Sequence, residues 1–193
     1  EVLAWIDAEV SALGEETVSL SEAHGRVLAG PIVSSIDVPA FDRSAMDGFA
    51  LKAEETVGAG DYNPLPFSVI GVSMPGQPFD GDLGKGQAVR IMTGAPIPAG
   101  ADAVVPAEFA TEKDGTVEIV DAVPTLKHIG RTGEDVQSGS TLLEAGHRLR
   151  PQDCGLSASI GQAEVAVIRR PRVRIVVTGN ELAEPGSKRS PFQ

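Results

Sequence analysis

Residues 113–122, "KDGTVEIVDA", contain a β-hairpin signal and the strand that follows it. Asp114-Gly115 is the dipeptide that tight two-residue turns favour, because both central positions need positive φ. The run after it is rich in β-branched residues and reads as a strand. Similar short runs recur along the chain: "FSVIGVS" (67–73), "QAVRIMT" (87–93), "ADAVVPAE" (101–108) and "STLLEAG" (140–146). Gly, Pro and Asp separate them. From about residue 45 to 140 the chain therefore reads as a compact β domain.

The flanks read differently. In "VLAWIDAEVSAL" (2–13), Val2, Leu3, Ile6, Val10 and Leu13 share one helical face, and Gly14 is a natural stop. "TVSLSEAHGRVLAG" (17–30) predicts a short strand and then a short helix capped by Ser21. "RPQDCGLSASIG" (150–161) predicts a helix with Pro151 in its first turn and Gly161 at its end. "AEVAVI" (163–168) follows as a strand. In "RVRIVVTGNEL" (172–182) the run "VRIVV" has the character of a strand buried on both faces, as in a parallel α/β sheet. One such strand makes no sheet, so a larger α/β domain is expected to follow, with this chain cut short. The first residue, Glu1, points to a trimmed N-terminus. Trp5 and Cys154 are read as core residues. The sequence shows no internal repeat.

With 193 residues and 41% hydrophobic side chains, the chain can build a sizeable core. Aromatics are only 4%, so Val, Ile, Leu and Ala must do the packing. Net charge is −11 and uneven: residues 1–150 carry 23 acids and 10 bases, residues 151–193 carry 4 acids and 6 bases. An acidic surface repels a phosphate backbone, so nucleic acid is not an expected partner. A single cysteine builds neither a disulfide framework nor a zinc site. His24, His128 and His147 are dispersed. There is no membrane-length apolar run and no visible signal peptide, so a cytoplasmic protein is expected.

Two phosphate- or metal-loop signals fail. "GDLGKGQ" (81–87) lacks the Ser or Thr after Gly-Lys, and Phe79 stands where the first P-loop glycine belongs. "DGDLGK" (80–85) has Lys85 where a calcium loop needs Gly. What remains are acidic or hydroxyl groups in Gly-rich loops at strand ends: Asp47 in "SAMDGFA", Thr93 in "RIMTGAPIPAG", Asp135 in "RTGEDV" and Glu181 in "VTGNEL". Such carboxylates can hold a divalent ion, accept from an amino-heterocycle or act as a base. Each also has a plainer explanation. Asp before Gly is commonly a turn residue, Thr93 can close a turn, Glu134-Asp135 can be a solvated pair, and Glu181 can cap a helix. Asp42 and Arg43, adjacent in sequence, read as a surface pair.

Taken in order, "PAFDRSAMDGFA" (39–50), "VRIMTGAPIPAGADAVVPAE" (89–108), "GEDV" (133–136), "LLEAGHRLRPQDCGLSASIG" (142–161) and "RRPRVRIVVTGNEL" (169–182) resemble the MoeA family. These are the molybdopterin molybdenumtransferases, to which the E domain of gephyrin is similar. The resemblance implies insertion of molybdenum from molybdate into adenylylated molybdopterin, with release of AMP and use of Mg²⁺. It implies a mixed α+β, multi-domain fold. Residues 1–14 form a helix packing with the third domain. Residues 15–33 and 140–170 form an elongated first domain, and 34–139 an inserted β-rich second domain. Residues 171–193 open a truncated α/β (MogA-like) third domain. A homodimer is implied, with the cleft between the second domain of one subunit and the third of the other, and other molybdenum-cofactor biosynthesis proteins as further partners. By motif, Asp47, Thr93, Asp135 and Glu181 resemble active-site residues, with Glu181 near the metal and Gly48 and Gly94 at the bound substrate. The fragment alone is expected to be inactive. The alternative is a non-catalytic scaffold of gephyrin type.

Overall fold

The computed structural model describes residues 2–9, 11, 13–179 and 182–188. Val10 and Glu181, both singled out in the sequence, lie outside the described residues. The fold is mostly β. Among the described residues there are two α-helices, α1 (Val2–Glu9) and α2 (Pro151–Ser159), and neither is long and apolar enough to cross a membrane.

Six strands form the main sheet. They are β4 (Gly48–Leu51), β5 (Leu65–Ser73), β6 (Gln87–Ile91), β7 (Ala103–Pro106), β8 (Ala110–Lys113) and β9 (Thr116–Ile119). Their spatial order is β7-β4-β6-β5-β9-β8. The expected hairpin joins β8 to β9, with Asp114 and Gly115 at φ 52° and 78°. Only β5 and β6 run parallel. A parallel pair needs a crossover of a dozen or more residues, and 74–86 supplies it without a helix. Phe79 fastens that crossover to the sheet: a Cβ on Gly71 would stand 2.4 Å from its ring. Phe79 thus has a packing role at the position that fails the P-loop pattern.

Alternation along the strands gives the sheet two buried faces. Phe49, Leu51, Phe67, Val105, Val117 and Ile119 pack together on one side. Ala50, Ile91, Ala95 and Val104 pack on the other. β4 is buried at all four positions, as its place inside the sheet requires.

A second core lies outside this sheet. β1 (Glu15–Ser19) pairs antiparallel with β12 (Glu164–Ile168), and Leu28, Ile32, Leu149, Ile160, Val165 and Val167 pack beside them. Buried Arg26 ties the unit together, pairing with Glu16 and donating to the Ile168 carbonyl at 2.8 Å. The helix expected after Ser21 is a single 3-10 turn, Leu20–Glu22. α2 begins at Pro151 as expected. Buried Asp153 accepts from the Arg150 backbone N–H at 2.8 Å and from the Arg150 guanidinium and His147.

A two-stranded ribbon joins the two cores. β2 (Ile32–Val33) pairs with β11 (Thr141–Leu143), and β3 (Arg43–Ser44) with β10 (Ile129–Gly130). Val38 bridges Val136 between them. "STLLEAG" therefore belongs to this ribbon and not to the six-stranded sheet. Its local sequence favours a strand but does not choose the neighbour.

Three further expectations change. Trp5 is 65% exposed and is not a core residue; Val2 and Leu3 beside it are exposed too. Cys154 is half-buried against the second core. The strand expected at "VRIVV" (173–177) does not form: these residues are unpaired, and Val173, Ile175, Val176 and Val177 are exposed. A strand is stable only with a hydrogen-bonded neighbour, and none of the described residues supplies one.

Candidate functional site

The segment "DRSAMDGFA" leaves the ribbon through β3, makes a tight turn at residues 45–47 and enters the main sheet as β4. Buried Ser44 shapes the turn. Its Oγ donates to the Met46 carbonyl at 2.6 Å and accepts the Met46 N–H at 3.3 Å. This sets Asp47 at the exposed start of β4, beside the loop that follows β6.

That loop carries Thr93-Gly94. Asp47 Oδ1 accepts the Thr93 N–H at 2.7 Å and the Thr93 hydroxyl at 2.8 Å. The Gly94 N–H donates to the Ser44 carbonyl at 2.8 Å, with Gly94 at φ 81°. These donors hold the Asp47 carboxyl below its usual pKa, the Thr93 backbone N–H first and the hydroxyl second. Asp47 is therefore ionised at neutral pH. A carboxylate held in this way is a weak general base. Its chemistry is that of a fixed negative charge and a hydrogen-bond acceptor. Oδ2 has no hydrogen-bond partner among the described residues.

Asp135 comes from the other arm of the ribbon. Exposed on the turn after β10, it accepts from Arg43 Nη2 at 3.3 Å, and Glu134 stands 3.8 Å from the same atom. Arg43, Thr93, Gly94, Gly130 and Glu134 line one cleft of about 310 Å³. The structure thus brings Asp47 and Thr93 into contact and joins Asp135 to them through Arg43 and its cleft. A larger cavity, about 600 Å³, lies elsewhere between Lys52, Glu55, Leu65, Phe67 and Lys85. It contains none of the sequence-selected residues.

Several roles differ from the sequence reading. Thr93, read as a residue that can close a turn, donates its N–H and its hydroxyl to Asp47 on another loop. Asp42 and Arg43 do not pair with each other. Asp42 accepts from the Thr132 N–H and hydroxyl, both at 2.8 Å, while Arg43 turns to Asp135. Gly48 touches the β7 backbone, and the Gly94 N–H is bonded to the Ser44 carbonyl. The sequence reading gives Asp37 no role and Asp42 only a surface pair with Arg43. Their signal was the five-residue spacing of Asp37, Asp42 and Asp47.

Among the described residues no three His, Cys, Asp or Glu side chains are grouped to hold a metal ion. Asp47 offers one free carboxylate oxygen, and Asp135 is already paired with Arg43. These residues do not by themselves fit a divalent-ion site.

The family model for the MoeA N-terminal region (domain I and II) matches residues 1–161. The chain belongs to this family. It is 44% identical over 177 residues to molybdopterin molybdenumtransferase 2 of Mycobacterium tuberculosis, covering 92% of this chain and 44% of that protein. It is 44% identical over 185 residues to the molybdopterin molybdenumtransferase of Bacillus subtilis, covering 91% and 43%. The crystal structure of the molybdopterin biosynthesis moeA protein from Pyrococcus horikoshii OT3 superposes with a TM-score of 0.85 at 39% identity, covering 91% of this chain and 46% of that one. The chain spans less than half the length of these relatives.

Proposed function

We propose that this chain is part of a molybdopterin molybdenumtransferase, acting in molybdenum cofactor biosynthesis on adenylylated molybdopterin and molybdate with release of AMP. Family membership supplies the class. The observation that carries the site is the Asp47–Thr93 pair: an ionised, exposed carboxylate fixed on one oxygen and free on the other, beside the cleft that Arg43, Thr93 and Glu134 line. The free oxygen suits the amino edge of a pterin, since a carboxylate accepts and an amino group donates. It does not suit bare phosphate or molybdate, which it repels. Arg43, between Asp135 and Glu134, is the cationic group of this wall.

In this reading residues 1–193 supply one wall of the site. The protein works in the cytoplasm as a homodimer, and a following α/β domain of the partner completes the cleft. The domain limits are those implied by the resemblance: 1–14, 15–33 with 140–170, 34–139, and 171 onward. Glu181 falls in the last of these, the start of the third domain. Mg²⁺, when bound, would offset the negative charge of the substrate phosphates; the described residues do not form its site.

The test is AMP release from adenylylated molybdopterin on addition of molybdate and Mg²⁺, with the intact protein and two variants. Asp47→Asn keeps an oxygen that can accept from Thr93 and removes the charge. Asp47→Ala removes both. Loss of activity in both variants, with wild-type activity intact, is expected. Full activity in Asp47→Asn reduces Asp47 to a loop fastener. An inactive wild type turns the reading toward a non-catalytic scaffold.

A further inference from the structure

The bonding around Asp47 is not unique in this molecule. Residues 34–47 make the same pattern three times, at intervals of five. Thr93-Gly94 places its two N–H groups on Asp47 Oδ1 and the Ser44 carbonyl. Thr132-Gly133 places its two on Asp42 Oδ1, at 2.8 Å, and the Pro39 carbonyl, at 2.9 Å. Ser138-Gly139 places its two on Asp37 Oδ1, at 2.8 Å, and the Ser34 carbonyl, at 2.7 Å. In each copy a carboxylate and the carbonyl three residues before it receive consecutive N–H groups of a hydroxyl residue and a glycine. The three glycines have φ of 81°, 70° and 84°, a conformation that glycine adopts without a Cβ penalty.

The position of the copies gives them meaning. The Asp42 copy lies between the β3–β10 ladder and the Val38–Val136 bridge. The Asp37 copy lies between that bridge and the β2–β11 ladder. They close the two gaps where the ribbon has no regular backbone pairing. The Asp42 copy also immediately precedes Glu134-Asp135, and Asp42 immediately precedes Arg43, the partner of Asp135.

We infer that Asp42, seconded by Asp37, is a positioning residue: by holding the Thr132-Gly133 turn it fixes Asp135 and Arg43 against the wall that carries Asp47 and Thr93. The consequence for turnover rests on the transferase reading; the consequence for the loop does not. The Asp42 role needs an acceptor oxygen and no charge. This sets it apart from Asp47, where charge is required.

The test uses the intact protein and the variants Asp42→Ala, Asp42→Asn and Thr132→Val. Amide hydrogen exchange is followed in peptides covering 131–135, beside kcat and KM for AMP release. In Asp42→Ala the amides of Thr132 and Gly133 should exchange at least about tenfold faster. There kcat should fall roughly ten- to a hundredfold, with KM little changed. Asp42→Asn should restore both readouts, because its amide oxygen accepts the same two hydrogen bonds. Thr132→Val loses only the hydroxyl bond and should lie between, and it serves if Asp42→Ala does not fold. Unchanged exchange at 131–135 in both Asp42→Ala and Thr132→Val overturns the inference. So does an Asp42→Asn variant as slow as Asp42→Ala, which would put the charge itself in the reaction. A wild-type protein without AMP release counts against the transferase reading, while the exchange data still decide whether Asp42 holds the turn.

Discussion

The backbone of Gly48 lies so close to that of Val105 that a Cβ on Gly48 would stand 2.0 Å from the Val105 carbonyl oxygen and 3.0 Å from the Ala107 nitrogen. Both obstacles are main chain, and neither can rotate away. Gly48→Ala should therefore push β4 from β7 and cost at least the upper end of the roughly 1–3 kcal/mol typical of overpacking. Urea or thermal unfolding measures this directly. An alanine variant as stable as wild type would show that the two strands can part at no cost.

Thr93 lowers the pKa of Asp47 through two donors, and only one is a side chain. Thr93→Val removes the hydroxyl and keeps the N–H. The Asp47 pKa should rise part of the way toward the ordinary value of about 3.9. The sign follows from linkage. With its folded pKa depressed, Asp47 stabilises the native loop above the unfolded-state pKa and loses that contribution as pH falls through the folded pKa. In Thr93→Val the contribution should be smaller, and its loss should be complete at a higher pH. Carboxyl chemical shifts followed by NMR titration check it.

Asp153 receives four hydrogen bonds at the start of α2, from the Arg150 N–H, from two atoms of the Arg150 guanidinium and from His147 Nε2. The guanidinium is the largest cause of a carboxyl pKa held well below the usual range, and burial works against it. Asp153→Asn should destabilise the second core by about 1–3 kcal/mol at neutral pH, the usual cost of leaving charged donors poorly matched. The gap between variant and wild type should narrow as pH falls below about 4, as the wild-type carboxylate begins to lose its advantage. A gap independent of pH would mean that the ion pair with Arg150 adds nothing beyond shape.

Trp5 is the only tryptophan and stands 65% exposed on α1. In the 193-residue chain its fluorescence should be readily quenched by acrylamide. Replacing it with Phe should change stability by no more than about 0.5 kcal/mol. In a protein extended toward the length of its relatives, the proposed packing of residues 1–14 on a third domain predicts protection from the quencher. Equal quenching in both proteins would remove that domain assignment.

How much of this was legible beforehand depends on the range of the interaction. Local sequence suffices where nearest neighbours along the chain decide. The turn at Asp114-Gly115, the start of α2 at Pro151 and the β character of runs such as 67–73 follow from allowed φ, a missing N–H and β-branched side chains. The ordered motifs were likewise enough for the family. Tertiary structure alone decided which partner each group takes. "STLLEAG" could pair with any strand, and loop closure delivers it to Ile32–Val33. Asp42 sits beside Arg43 in the chain, yet the ribbon brings it Thr132, ninety positions away, whose N–H and hydroxyl converge on one oxygen. The spacing of Asp37, Asp42 and Asp47 was visible throughout. Its meaning was not, because the three hydroxyl-glycine turns that answer it lie 46 to 101 positions along the chain. A carboxylate specifies that it will accept hydrogen bonds; only the folded chain specifies from whom.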